Sequence, residues 1–179
     1  MHVNIDRNSN IFLYDVKTNG YDTNIWNTIS GVPSVASGKL VLNNAEVNSF
    51  AAFTKCSIEF LMTIPTAPTL GDSRAWGLKT YNYGNKGRIE FDITDTNFTA
   101  KVYDDSGTII ESIPITWDTN WTNTEARFRI SFSERNVFFS VNDVIVARFQ
   151  EVNVTENPLA LHIINGTADN LLFAAVSAF

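Results

Sequence analysis

The sequence predicts an all-β protein, a single-domain jelly-roll β-sandwich of two antiparallel sheets, and three observations predict it. Apolar and polar side chains alternate with a period of two almost without a break from Arg88 to Phe179, turn-forming residues interrupt the alternation at short intervals, and helical periodicity is nearly absent. In the stretch Arg88 to Thr94, Ile89, Phe91 and Ile93 leave one face of the pleat, while Arg88, Glu90, Asp92 and Thr94 leave the other. The first set is read as core. The second is expected to be a wet face, and it carries two carboxylates side by side.

The elements follow in order. Ile11–Tyr14, Lys39–Leu42, Ser49–Phe53 and Ser57–Ile64 read as the first strands, separated by Asn-Gly, Ser-Gly and Asn-Asn turns. Pro65–Asp72, with two prolines, is a loop that no central strand would tolerate. Ala75–Tyr81 and the strand at Arg88 come next. A hairpin then runs Phe98–Tyr103 to Thr108–Ile113, and Gly107 supplies the backbone freedom its tight reversal needs. Past the loop Trp117–Thr124 the alternation is strongest: Phe128, Ile130 and Phe132 inward, Arg127, Arg129 and Ser131 outward. Asn136–Val141 and Val144–Phe149 form a further hairpin about Asn142-Asp143, and Leu159–Ile164 and Leu171–Phe179 close the chain. In the first of these last two strands Leu161 and Ile163 are expected outward and Ala160, His162 and Ile164 on the other face. About a dozen short strands make a sandwich rather than a helix-crossed parallel sheet.

Composition bounds the function. A chain of 179 residues with 44% hydrophobic content can bury one sizeable core, and no stretch reads as a linker. Residues 1–25 are read as an N-terminal arm or first strand contacting a partner, and 26–179 as the sandwich. With 13 basic and 19 acidic residues, a net charge of −6 and a pI near 4.8, the whole-chain field argues against nucleic acid and anionic membranes. Cys56 is the only cysteine, so neither an intrachain disulfide nor a thiolate-rich metal site is expected. No stretch approaches the roughly 20 apolar residues of a spanning helix, and Met1–Arg7 lacks the basic and apolar regions of an export signal. Asn-x-Thr sequons at Asn97, Asn120, Asn153 and Asn165 carry little weight in a chain so rich in Asn and Thr.

The succession Gly38–Leu42, Ile58–Met62, Trp76–Leu78, Gly87–Phe91, Arg127–Ile130 with Val137–Asn142, and Pro158–Asn165 resembles the concanavalin A-like lectin/glucanase superfamily, over roughly residues 25–179. In its glucanase branch, retaining laminarinases carry Glu-x-Asp-x-(x)-Glu on one strand, the first Glu as nucleophile and the last as acid/base. The resemblance maps these roles onto Glu90, Asp92 and Asp95, though Asp95 is a methylene short of Glu and Thr94 holds the unbulged third position. Glu90 and Asp92 share a face, as two carboxyls working across about 5 Å must. The alternative is a solvated strand face with Arg88 and Glu90 paired to neighbours.

Sugar binding without hydrolysis needs aromatic platforms and amides. Tyr81, Tyr83, Trp117 and Trp121, with Asn82, Asn85, Asp118 and Asn120 beside them, stand where strands meet turns and are candidates for a stacking ledge. For Trp117 and Trp121 a core position is the competing reading, and Trp26 and Trp76 are read as core. No cofactor is expected; a calcium ion would draw on Asp104, Asp105, Asp118 or Asp169, in loops whose composition equally suits ordinary turns. Neither His2 nor His162 has a nucleophile near it in sequence.

The sequence therefore reads as a non-catalytic recognition or display module on an external surface, a virion's included, with carbohydrate as its ligand. In that reading it is cytoplasmic before release and able to form a homo-oligomer or join a virion through its N-terminal arm and the apolar 174–179 stretch. A purely structural virion or assembly subunit is the first alternative, a laminarinase-like hydrolase the second.

Overall fold

A computed structural model describes residues 12–80, 86–133, 135–154, 157–167 and 169–178. In chain order it holds β1 (Phe12–Asp15), α1 (Val16–Asn19), β2 (Trp26–Ser30), β3 (Ser34–Ala36), β4 (Lys39–Leu42), β5 (Ala45–Phe53), β6 (Cys56–Thr63), β7 (Ser73–Thr80), β8 (Arg88–Thr94), β9 (Asn97–Tyr103) and β10 (Ile109–Pro114). A single 3-10 turn, Thr119–Trp121, precedes β11 (Glu125–Ser133), β12 (Asn136–Val141), β13 (Val144–Phe149), β14 (Leu159–Asn165) and β15 (Leu171–Ala178).

These strands form two antiparallel sheets. One has eight strands in the order β13-β12-β11-β6-β15-β4-β3, with β1 added to the end of β15 beyond β4; the other has seven, β10-β9-β8-β7-β14-β5-β2. The predicted jelly-roll sandwich is the observed one. Within 12–25, Phe12–Asp15 forms β1 beside β15, α1 follows it, and Tyr14 packs edge-on against Trp26, ring centroids 5.5 Å apart.

Alternation puts one face of each sheet into a shared core. Trp76, Phe91 and Phe98 of the seven-stranded sheet meet Phe128 and Phe139 of the other, with Trp76–Phe128 and Phe91–Phe139 centroids each 4.9 Å apart and the rings close to perpendicular. Edge-to-face contacts of this kind add about 0.5–1.5 kcal/mol to the burial of each ring pair. Trp26 and Trp76 are core residues, as expected. In β14 the expected faces are reversed: Leu161 and Ile163 are buried in the core, and Ala160, His162 and Ile164 lie on the outer face. Apolar β14 residues on both faces left the periodicity without a direction; pairing with β7 and β5 supplies it.

Two local devices set the register. Between β5 and β14 the ladder slips, with Ala160 opposite Ala52 but His162 opposite Asn48. Buried Ser49 fills the gap: its hydroxyl donates to Ala51 O at 2.6 Å and accepts the Leu161 N–H at 2.9 Å, replacing ladder bonds. At one end of the sandwich the buried guanidinium of Arg74 ties loops together, donating to Asp72 Oδ1 (3.2 Å), Thr66 Oγ1 (3.0 Å) and Thr167 Oγ1 (3.3 Å). A buried charge so partnered holds the loop 65–72 in place.

Candidate functional site

Register partners in an antiparallel pair project to the same side, so the outer face of the seven-stranded sheet can be read from its ladders. Asn48 of β5 lies opposite His162 of β14, His162 opposite Gly77 of β7, Gly77 opposite Glu90 of β8, and Glu90 opposite Lys101 of β9. One step along the strands, Lys79 faces Arg88 and Arg88 faces Tyr103; one step the other way, Asp92 faces Thr99. A polar strip thus crosses five adjacent strands.

The carboxylates on this strip sit in unlike surroundings. Glu90, expected in solvent, is 1% exposed. The Arg88 Nη1–Glu90 Oε1 distance is 3.7 Å, and Glu90 Oε2 has no hydrogen-bond partner among the described residues. Burial pushes the Glu90 pKa up, and the Arg88 charge offsets this only in part. Asp92, two residues on, accepts from Lys101 Nζ at 2.5 Å and from Thr94 Oγ1 at 2.9 Å. The correction to the wet-face expectation has a simple cause: Arg88, two residues back on the same strand, folds over the Tyr103 ring of β9, 4.1 Å from its centroid, beside Glu90.

His162 is also buried on this face. Its Nδ1 lies 2.9 Å from Asn48 Oδ1 and 3.6 Å from Glu46 Oε1. Burial, helped by the Lys79 and Arg88 charges, drives its pKa down to about 3, so the imidazole is neutral and the Glu46 contact is not an ion pair. Glu46 pairs instead with Lys79 Nζ at 3.2 Å.

Between Glu90 and His162 lies Gly77. A Cβ at Gly77 would stand 2.2 Å from Ile89 O and 2.8 Å from Glu90 Cα. Glycine is therefore what lets β7 and β8 approach here, and it leaves no side chain between a buried acid and a neutral imidazole about two strand spacings, or ~10 Å, apart.

The third acidic position does not join this group. Asp95 sits in the β8–β9 turn at φ 52°, where its Oδ1 accepts the Gly71 N–H at 2.8 Å and its own N–H donates to Asp72 O at 2.8 Å. Thr94 follows Asp92 on the outer face. The convergence of Glu90, Asp92 and Asp95 that the hydrolase alternative calls for is not what the structure places here: a positive-φ turn carries Asp95 off the strand.

The aromatic candidates divide. Tyr81, Asn82, Tyr83 and Asn85 lie outside the described residues. Trp117 and Trp121 are half-buried against the core rather than on the polar strip: they meet edge-on at 5.5 Å, and Trp121 spans the layers from Phe98 (6.1 Å) to Phe128 (6.5 Å). Trp117 Nε1 donates to Thr122 Oγ1 at 3.1 Å, and Asn120 is exposed with its N–H on Asp118 Oδ1 at 2.9 Å.

The calcium candidates serve their own loops. Asp104 Oδ1 accepts from the Ser106 and Thr108 N–H groups, both at 2.9 Å, Asp118 caps the 3-10 turn, Asp169 Oδ2 accepts from Thr66 Oγ1 at 3.1 Å, and Asp105 Oδ2 accepts from Asn157 Nδ2 at 3.2 Å. Among the described residues no three His, Cys, Asp or Glu side chains gather in a metal-binding group. Cys56 is half-buried, its thiol pKa pushed up to about 12 by burial. Of the sequons, Asn165 is buried, donating to Leu42 O (2.7 Å) and Asp169 O (2.6 Å).

The two sheets and their order define a concanavalin A-like jelly roll. The β-glucanase of Bacillus licheniformis superposes with a TM-score of 0.76 at 13% identity, covering 94% of this chain and 97% of that one. The carbohydrate recognition domain of Emp47p does so at 0.71 and 11% identity, covering 93% of each chain, and the laminarinase of Flavobacterium sp. UMI-01 at 0.74 and 14%, covering 94% and 98%. At such identities the likeness is one of fold. No family model and no curated protein sequence matches the chain.

Proposed function

We propose that the protein is a non-catalytic carbohydrate-recognition module that binds glycans on the outer face of its seven-stranded sheet. The observation that carries this reading is the polar strip on the outer face of β5, β14, β7, β8 and β9, where Asn48, Lys79, Arg88, Asp92 and Lys101 keep accessible hydrogen-bonding groups above the buried His162 and Glu90. Sugar hydroxyls both donate and accept, and such a row offers both. Support also comes from the company the fold keeps: a carbohydrate recognition domain is among its structural neighbours. The absence of Asp95 from the strip argues for binding without hydrolysis. In this reading the module works on an external surface, a virion's included, and calcium is not required.

A second reading, a glycoside hydrolase, is favoured by one feature: Glu90, with its raised pKa, shares a face with Asp92, which accepts from Lys101 Nζ. One experiment separates the readings. The purified chain is applied to an array of glycans and polysaccharides with and without calcium, and the wells are assayed for released sugar. Binding without release, weakened about tenfold by Asn48→Ala, is expected. Release abolished by Glu90→Gln would establish the hydrolase, and silence in every well would move the assignment to a structural subunit of an assembly.

A further inference from the structure

We infer that the glycan this face takes is anionic, carrying carboxylate or sulfate groups, and that Arg88 and Lys79 recognise them. The inference rests on the reading that the outer face is the binding face, and it names the ligand class.

The argument begins with which member of each ion pair is outermost. Lys79 is 33% exposed over a Glu46 that is 14% exposed, and Arg88 is 31% exposed over a Glu90 that is 1% exposed. Lys101 and Asp92 are both largely buried. A ligand descending on the strip thus meets two cations first and their carboxylates behind them.

Those two cations are direct register partners on β7 and β8. Like charges placed opposite each other across an antiparallel pair destabilise it, so an anion lying between them would relieve a repulsion as well as form two contacts. Lys79 is paired with Glu46 at 3.2 Å, whereas Arg88 is weakly compensated from behind. The Arg88–Glu90 separation of 3.7 Å is long, Arg88 Nε has no partner among the described residues, and Glu90 is held toward its neutral form by burial. Arg88 is also pre-positioned, its guanidinium stacked on Tyr103, so little side-chain entropy is lost when it binds.

The test compares charged and neutral versions of the same sugars by calorimetry. The probes are a galacturonate hexamer against its methyl ester, a sulfated carrageenan hexamer against its desulfated form, and laminarihexaose as a neutral control. At least one charged probe is expected to bind about tenfold more tightly than its neutral counterpart, with the preference shrinking as salt rises. Lys79→Gln and Arg88→Gln should each reduce that preference, and Arg88→Lys should retain part of it. Circular dichroism confirms that each variant is folded, and Lys79→Gln, at a third-exposed position, keeps the test open if Arg88→Gln is unstable. Equal binding of charged and neutral probes, or a preference indifferent to both substitutions, overturns the inference while leaving carbohydrate recognition standing. Binding to none of the probes and to nothing on the wider glycan array overturns both.

Discussion

Asn48 and His162 lie opposite each other on β5 and β14, the amide oxygen 2.9 Å from the imidazole Nδ1, because a slip in the ladder one residue away brings them into register. The pairing assigns the Nδ1 proton to the side facing Asn48 and, with burial, keeps the ring neutral down to about pH 3. The unfolded chain takes up this proton near pH 6.5, the native one only near 3. The native form therefore binds fewer protons between those values, and stability falls as pH falls through that window, by up to about 1.4 kcal/mol per pH unit. His162→Gln should flatten the acid limb of a plot of Tm against pH. An unchanged limb would show that the imidazole is protonated in the fold.

Glu90 works in the opposite direction. Its folded pKa is raised above the unfolded value of 4.5, so its contribution is intact below that value and is lost as pH rises toward the raised pKa. Glu90→Gln keeps the shape while removing the charge. We expect it to leave stability at pH 4 nearly unchanged and to raise it at pH 8 by about 1 kcal/mol or more. Chemical denaturation at the two pH values decides the matter, and destabilisation at pH 8 would mean that the Arg88 ion pair outweighs desolvation.

Much of this fold is legible from alternation, and the limits are physical. The β8 pattern sends Ile89, Phe91 and Ile93 into the core as read. Strand β2 was missed because it is an edge strand with only Trp26 inward, and β3 because all three residues are exposed. At the site, alternation put Glu90 and Asp92 on one face but could not say which is covered. Burial of Glu90 depends on Arg88 folding over Tyr103 from the next strand, and the neutrality of His162 on Lys79 and Asn48, all cross-strand relationships. The departure of Asp95 had a signal in Thr94-Asp95-Thr96-Asn97, a stretch of turn formers in which Asp tolerates φ of 52°.

Gly77 is the residue on which the strip depends sterically. A methyl group there would press on the backbone of β8, at Ile89 O and Glu90 Cα, which no rotamer change can relieve. Gly77→Ala should cost about 3 kcal/mol or more in unfolding free energy, large for the addition of one methyl. Gly71→Ala, where a Cβ meets nothing within 4 Å, is the control for backbone strain, since Gly71 has φ 89°. A Gly77 variant no less stable than the Gly71 variant would sink the close-approach account.

Trp121 separates packing from recognition. Its ring touches Phe98 in one sheet and Phe128 in the other, and Trp117 braces it edge-on, so it closes the space between the sheets rather than presenting a platform to solvent. Truncating a half-buried indole in such a position forfeits its apolar burial and leaves a gap between the layers, about 2–3 kcal/mol. Trp121→Ala is expected to lower Tm by several degrees while the folded fraction binds glycan with unchanged affinity; Lys79→Gln, at a third-exposed position, should do the reverse. A Trp121→Ala protein with unaltered Tm and lost binding would instead make this indole a sugar platform and move the site from the outer face of β8 to the loop 117–124.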